Sequence, residues 1–350
     1  MYGADPVKRK ALIAVTYPEV LENARKTISN CKVCPVCNGL ACANTMPGPG
    51  SKAPGNGAHE NWRAWQDVRI EMDVFRPDAP VDTATELFGA QLALPLLTGP
   101  IGALTQYSPT DVTVPFNDGV MAACAAFGAV STFGDGVVPE TFPGGMASIA
   151  RHKAASIPIL NPKSMEYLLD KIAQVNASEA LAVGVVFDSA GLSFWTQKGD
   201  RFSSKTPEQL RVLRAYASKP FVAKGILSAK NAAQAVEAGA DAIIVSNHGG
   251  RVLPYAPATA AVLPEIVEAV QGSAKIIVDG GIRTGADIFK ALALGADAVM
   301  ICRPIAVSWF GGGAEGVRLY FEKLRTELAE VMYMAGARSI GDIGRDMIRL

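Results

Sequence analysis

The chain is short of three things. It has no net charge: Lys and Arg together number 33, as do Asp and Glu, so the balance points neither to nucleic acid nor to a membrane surface. It has no long hydrophobic run; the longest apolar stretches are strand-sized, far below the ~20 residues that cross a bilayer. It has only three histidines, so imidazole chemistry must come from very few positions. Near the start, Lys8-Arg9-Lys10 precedes Ala11 to Val15, an apolar part too short for a secretory signal and without a small-residue cleavage site after it. A cytoplasmic protein is expected, with its six cysteines as reduced thiols or metal ligands rather than disulfides.

What is present is apolar text in regular alternation. Hydrophobic residues make up 49% of 350 residues, enough for a large core and incompatible with global disorder. Strands are expected over Leu92–Gly99, Ala129–Gly134, Ile157–Asn161, Leu181–Asp188, Pro220–Gly225, Ala242–Asn247, Lys275–Gly280 and Val299–Arg303. Their continuous aliphatic runs suit strands covered on both faces. Helical patterns lie between, among them Ser164–Val175, Thr206–Ala217, Ala229–Ala238, Ala286–Leu294 and Ala314–Met334. Thr206-Pro207-Glu208-Gln209 carries an N-cap, a Pro at the first helical position and a Gln to complete a capping box. Gly239 and Gly295 lie where helices should end. Eight strand–helix units in order imply an α/β fold, a (β/α)₈ TIM barrel; an open doubly wound sheet has the same local text, but eight units favour closure. The barrel is placed over residues 91–350. Residues 1–90 read as an N-terminal extension with a helix over Glu19–Ile28, a cysteine-rich stretch and a Pro/Gly-rich covering loop from Pro47 to Gly57. The long segment Ser189–Lys205, with Phe194, Trp195 and Gly199, reads as a lid.

Polar chemistry gathers at three consecutive strand ends: Ser246-Asn247-His248-Gly249-Gly250-Arg251, then Asp279-Gly280-Gly281-Ile282-Arg283, then Cys302-Arg303-Pro304. That is where a parallel barrel builds its site. Glycines after the seventh strand and the following helix N-terminus suit a phosphate, with Arg283 and Arg303 as charged forks. His248 is the only histidine at a strand end, and Asp188 at the end of strand four could orient it and stabilise its cation. Lys224 ends strand five in an apolar setting, so its charge needs a partner.

Val-Ser-Asn-His-Gly-Gly-Arg (245–251), Val-Asp-Gly-Gly-Ile-Arg-Thr-Gly (278–285), Ala-Leu-Ala-Leu-Gly-Ala-Asp-Ala-Val (291–299), Ile-Cys-Arg-Pro (301–304) and Gly-Gly-Ala-Glu-Gly-Val (312–317) resemble the FMN-dependent 2-hydroxy-acid oxidase and dehydrogenase family. The short, Cys-rich start is similar to a bacterial branch of it. The resemblance is strong over roughly the last 130 residues, fainter back to about residue 85, and absent before. It implies an enzyme that oxidises a 2-hydroxy acid to a 2-oxo acid with FMN, probing a small-molecule substrate and passing electrons to an unidentified acceptor, in a homo-oligomer. It makes His248 the base, Asp188 its partner, Arg251 the clamp for a substrate carboxylate, and Lys224 the cation beside the flavin. Asp279, Gly280, Gly281, Arg283, Cys302 and Arg303 would hold the cofactor, with Thr98, Gly99, Pro100 and Ser246 alongside.

Departures from the family pattern are equally plain. The second substrate arginine after strand four is missing; Trp195 or a neighbour stands there and the next arginine is Arg201. Ile159-Leu160-Asn161-Pro162 replaces a tyrosine at the end of strand three, and the N-terminal substrate tyrosine has no clear counterpart, although Tyr17 is present. Cys302 stands where glycine is usual. Separately, Cys31, Cys34, Cys37 and Cys42 fall in a C-x₂-C-x₂-C-x₄-C spacing that suits a [4Fe–4S] cluster or Zn²⁺, or else free thiols shaping a tight loop that lends backbone to the site. Two other functions are compatible with the barrel: an isomerase resembling the type 2 isopentenyl diphosphate enzyme, and an FMN/metal electron-transfer protein.

Overall fold

A computed structural model of the chain describes residues 16–105, 107–136, 138–192 and 202–350. Its N-terminal part holds helices α1 (Tyr17–Thr27) and α2 (Gly57–Asp67), a short strand β1 (Arg69–Ile70) and a hairpin of β2 (Thr85–Leu87) and β3 (Ala90–Leu92). Then come β4 (Leu96–Thr98), β5 (Ser131–Gly134), β6 (Ser156–Leu160), β7 (Val183–Val186), β8 (Phe221–Ile226), β9 (Ala242–Val245), β10 (Lys275–Asp279) and β11 (Ala298–Ile301). Each is followed by a helix: α3 (Thr113–Phe127), α4 (Thr141–His152), α5 (Met165–Asn176), α6 (Pro207–Tyr216), α7 (Ala229–Glu237), α8 (Thr259–Val270), α9 (Gly285–Ala293) and α10 (Arg303–Ala335). A last strand, β12 (Ile348–Arg349), pairs antiparallel with β1.

The strands lie in the order β4-β11-β10-β9-β8-β7-β6-β5. The two ends of this row meet. Leu97 bridges Val130 in parallel, with Thr98 N donating to Val130 O at 2.9 Å and Val130 N to Leu96 O at 3.1 Å. The sheet is therefore closed, and the fold is a (β/α)₈ barrel. Closure explains the unbroken apolar runs. In β9, Ala242 and Ile244 pack inside the barrel with Leu97, Ile157, Ile277 and Met300. Ile243 and Val245 join the outer layer with Leu263 and Ile266 of α8. Both faces of one strand are dry, so its alternation is hidden in the sequence.

Three boundaries differ from expectation. The single strand expected over Leu92–Gly99 is two elements: Leu92 pairs back onto Thr85 in the hairpin, and the barrel strand begins only after Pro95. Leu87 and Leu92 of that hairpin join the interior cluster and plug the end where the strands begin. Strand β7 stops at Val186, and Asp188 sits on a single 3₁₀ turn, Phe187–Gly191. Finally, Ala314–Met334 is the second half of α10, which bends at Gly312 and Gly313. The Thr206 capping box and the left-handed glycines 239 and 295 match expectation. Of the expected lid, residues 193–201 lie outside the described residues, and so do Lys8 to Val15. Among the described residues no helix is long and apolar enough to cross a membrane.

The extension shares the barrel's core. Ala24 of α1 and Trp65 of α2 are fully buried in the outer hydrophobic layer.

Candidate active site

The loops after β9, β10 and β11 converge on a cavity of about 200 Å³ at the C-terminal mouth of the barrel. His248 lines it. Its backbone takes a left-handed conformation, φ 56°, which is strained for a residue with a side chain and is characteristic of functional sites. The Ser246 hydroxyl accepts a hydrogen bond from His248 N (3.0 Å). Ring atom Nδ1 lies 2.9 Å from Asp188 Oδ1, which leaves Nε2 for the cavity. Burial alone would raise the Asp188 carboxyl, but the facing His248 ring outweighs it and holds the group below its ordinary range. Gly225 makes room for this carboxylate: with φ 90°, any side chain there would strike Asp188.

Lys224 finds the partner its burial demands. Its Nζ donates to Asp279 Oδ2 at 2.7 Å and to Ser246 Oγ at 2.8 Å. Burial pulls the ammonium down, yet Asp279 and Asp188 prevail and hold it above its ordinary value, so it is a fixed cation. Asp279 Oδ1 and Asp188 Oδ2 are buried acceptors with no partner among the described residues.

Three arginines line the same cavity, and backbone carbonyls of the extension hold all three. Arg251 Nη1 donates to Gly48 O (2.6 Å) and Gly50 O (2.8 Å). Arg303 Nε donates to Pro49 O and Nη2 to Gly249 O, both at 2.9 Å. Arg283 Nε donates to Cys37 O at 2.7 Å. Residues 46–49 lie along the cavity wall, so the Pro/Gly-rich stretch is a strap across the mouth. Carbonyls orient these cations without neutralising them. Burial, and then the neighbouring Arg303, pushes Arg251 down to about 10; arginine does not lose its proton in proteins, and this pressure marks a cation short of an anion.

At the expected phosphate seat, the start of α9, several backbone N–H groups already have protein partners. Asp287 Oδ2 accepts from Arg283 N and Thr284 N, Thr284 Oγ1 from Asp287 N, and Glu327 Oε2 from Gly285 N. The N–H groups of Arg283, Thr284, Gly285 and Asp287 are thus taken by the protein, while the guanidinium groups of Arg283 and Arg303 face the cavity. Gly280 and Gly281 do line the cavity, but what they make room for is protein. At Gly281, φ 85°, a Cβ would overlap the backbone of Asn61. Thr98, Gly99 and Ser246 stand behind the wall rather than on it, whereas Pro100 is on it. Thr98 accepts from Thr132 N (3.2 Å), and a Cβ on Gly99 would overlap the Cys302 thiol. The cysteine that departs from the family's glycine thus fills space opposite another glycine.

The cysteine stretch is also corrected. Among the described residues no three His, Cys, Asp or Glu side chains come together as metal ligands. Cys31 Sγ accepts from Val33 N within its own turn, and Cys42 Sγ donates to Gly39 O in another. Burial pushes the Cys31 thiol up to about 11. A [4Fe–4S] or zinc centre on Cys31, Cys34, Cys37 and Cys42 is unsupported; a tight loop that lends the Cys37 carbonyl to Arg283 describes the stretch.

Helix α2 was missed by reasoning from sequence. Asn61 and Asn247, each 1% exposed, exchange reciprocal amide hydrogen bonds at 2.7 and 2.8 Å. Trp65 Nε1 donates to Gly280 O at 2.8 Å. This helix therefore braces the loops that carry His248 and Arg283. The available signal was Asn56 as a cap, with Ala58, Asn61 and Trp65 on one buried face. Tyr17 does not line the cavity: it stacks on Tyr320 with ring centroids 5.1 Å apart.

The profile of the FMN-dependent dehydrogenase family matches residues 49–193 and 151–350. This chain belongs to that family. The match begins well before residue 85 and takes in the end of the strap and α2. A peroxisomal (S)-2-hydroxyacid oxidase of Arabidopsis thaliana is 48% identical over 137 residues, 39% of this chain and 38% of that protein. The chain thus aligns with little over a third of that relative's length. Glycolate oxidase 3 of the same plant is 29% identical over 84% of this chain and 89% of its own. A crystal structure of mandelate oxidase with 3,3-difluoro-2-hydroxy-3-phenylpropionic acid superposes with a TM-score of 0.78, at 28% identity, covering 96% of this chain and 98% of that one.

The residues present fit the family's cofactor. Lys224, Arg251, Arg283 and Arg303 face the cavity against one carboxylate, Asp279, a surplus that suits the FMN phosphate and an acidic substrate. Asp279 Oδ1 lacks a donor, which a ribityl hydroxyl can provide. Ile159, Val186 and Met300 supply apolar wall for a ring.

Proposed function

We propose that the protein oxidises a small 2-hydroxy acid to the 2-oxo acid. The observation that carries this is the Asp188–His248 pair at 2.9 Å with Arg251 on the same loop, in a wall with excess positive charge. In this reading Arg251 holds the substrate carboxylate and thereby sets the 2-hydroxyl against His248. Nε2 of His248 takes the proton, and Asp188 stabilises the resulting imidazolium. FMN, when bound, supplies the two-electron acceptor. Arg283 and Arg303 would hold its phosphate, and Lys224, fixed by Asp279, would keep a cation beside its ring.

The strap and α2 serve as a cover and brace, the role assigned to residues 1–90, over a barrel of residues 91–350. Six free cysteines suit the reducing cytoplasm. Exposed Met72, Val74 and Phe75, next to Met334, support a homo-oligomer. The electrons leave to oxygen or to a carrier.

The test is a visible spectrum of anaerobically purified protein before and after a panel of 2-hydroxy acids, then readmission of oxygen. Flavin bands bleached by one acid identify the substrate class, and their return with oxygen identifies the acceptor. Bound flavin that no 2-hydroxy acid bleaches overturns the reading.

A further inference from the structure

Tyr107 lies in the loop after β4, outside every motif that drew attention to the barrel's mouth. It lines the cavity together with Arg251, Arg303 and the strap, and is 6% exposed. Its position is fixed on three sides. Its N–H donates to Leu104 O at 2.8 Å, its carbonyl accepts from Ser29 N at 3.0 Å, and its ring stacks on Phe310 with centroids 6.1 Å apart. The hydroxyl has no hydrogen-bond partner among the described residues and is not one of the fully buried unpaired atoms, so it opens to the cavity. A phenol whose ring is packed and whose hydroxyl opens into a cavity is placed to meet a ligand there. Burial pushes this hydroxyl above the ordinary phenol range, against the pull of Arg303 and Arg251 nearby. It is therefore a proton-bearing donor at any working pH.

The strap sharpens what it could donate to. Both hydrogens of Arg251 Nη1 are taken by Gly48 O and Gly50 O, which leaves the Nε/Nη2 edge as a single fork. A carboxylate on one fork has lone pairs to spare. We propose that Tyr107 is a substrate-binding residue, its hydroxyl donating to the carboxylate that Arg251 clamps, so that one arginine and one phenol recognise the acid. This inference rests on the functional reading above and names the residue that completes its acid-binding edge.

The test uses flavin-loaded protein and oxalate as the probe, with binding followed by the change in flavin absorbance and needing no turnover. Tyr107→Phe keeps the ring and its stack on Phe310. The expected result is full flavin content, oxalate binding weakened by about 10- to 100-fold, as for a lost hydrogen bond to a charged group, and a matching rise in KM with kcat within about threefold. Oxalate affinity within twofold of wild type, with Arg251→Lys clearly weakened, overturns the role of Tyr107 and leaves the functional reading intact. Loss of flavin from Tyr107→Phe also overturns it, since the residue would then belong to the cofactor's seat. If oxalate binds wild type and Arg251→Lys alike, or not at all, the cavity is not an acid site, and both readings fall.

Discussion

The loops that close the barrel and the extension that covers it reach the same cavity by different chemistry. The loops after β9, β10 and β11 contribute side chains: His248, Arg251, Arg283, Arg303. The extension contributes mostly main chain: the carbonyls of Cys37, Gly48, Pro49 and Gly50 on those arginines. A side chain with a charge or a ring announces itself by its identity. A carbonyl belongs to every residue, so its use is visible only when the chain has been folded. The difference teaches that the reactive groups and the groups that aim them are written in two scripts, of which only the first can be read directly.

Substitutions can break this comparison in order of size. His248→Ala removes the base and leaves the cover untouched; kcat with the acid that bleaches the flavin should fall by about 10²–10⁴-fold with flavin retained. A smaller loss would mean that proton removal does not depend on the ring. Gly281→Ala acts at the seam between the two regions. The left-handed backbone alone costs about 1–2 kcal/mol, and the overlap with Asn61 adds to it, so the urea midpoint should drop clearly; an unchanged midpoint would show that α2 does not press on this loop. Gly50→Ala acts on the strap, where a Cβ would overlap the Cys42 carbonyl. Displaced carbonyls would release Arg251, raising KM by about tenfold with little change in kcat. If kcat falls and KM holds, the strap does not orient the clamp.

The smaller effects separate charge from packing. The Asp188 carboxyl is held low in the folded state. Its stabilising contribution is therefore present above about pH 4, the ordinary Asp value, and disappears as acid titrates it below that in the fold. Wild type should lose stability below about pH 4 that Asp188→Asn does not; parallel curves would mean the carboxylate is not stabilised in the fold. Cys31→Ser with Cys42→Ser should leave flavin content and activity within about twofold. Iron or zinc bound stoichiometrically to wild type and lost in that variant would restore the metal centre.

Much of the fold was legible because a parallel barrel repeats one physical demand eight times: an apolar strand dry on both faces, then a capped helix. His248, Asp188, Lys224 and Arg251 were legible because each sits where such a strand ends. The hairpin was misread because Leu92 and Leu96 form one apolar run in the text while Pro95 divides them in space. That Asp287 and Glu327 occupy part of the N–H groups after β10 was not legible, since Glu327 comes from another element. Asn61 was invisible because a buried amide looks like any surface asparagine until its partner is known. The cysteines misled in the other direction: their spacing suits a metal, but two of the sulfurs close separate turns.

The amide pair of Asn61 and Asn247 joins residues 186 positions apart. At synthesis rates of about 5–20 residues per second, the first amide is made roughly 10–40 s before the second. During that interval α2 has no counterpart to grip, and the histidine loop has not been made. The catalytic corner thus waits for the later part of the chain, and a chain interrupted before residue 247 lacks it.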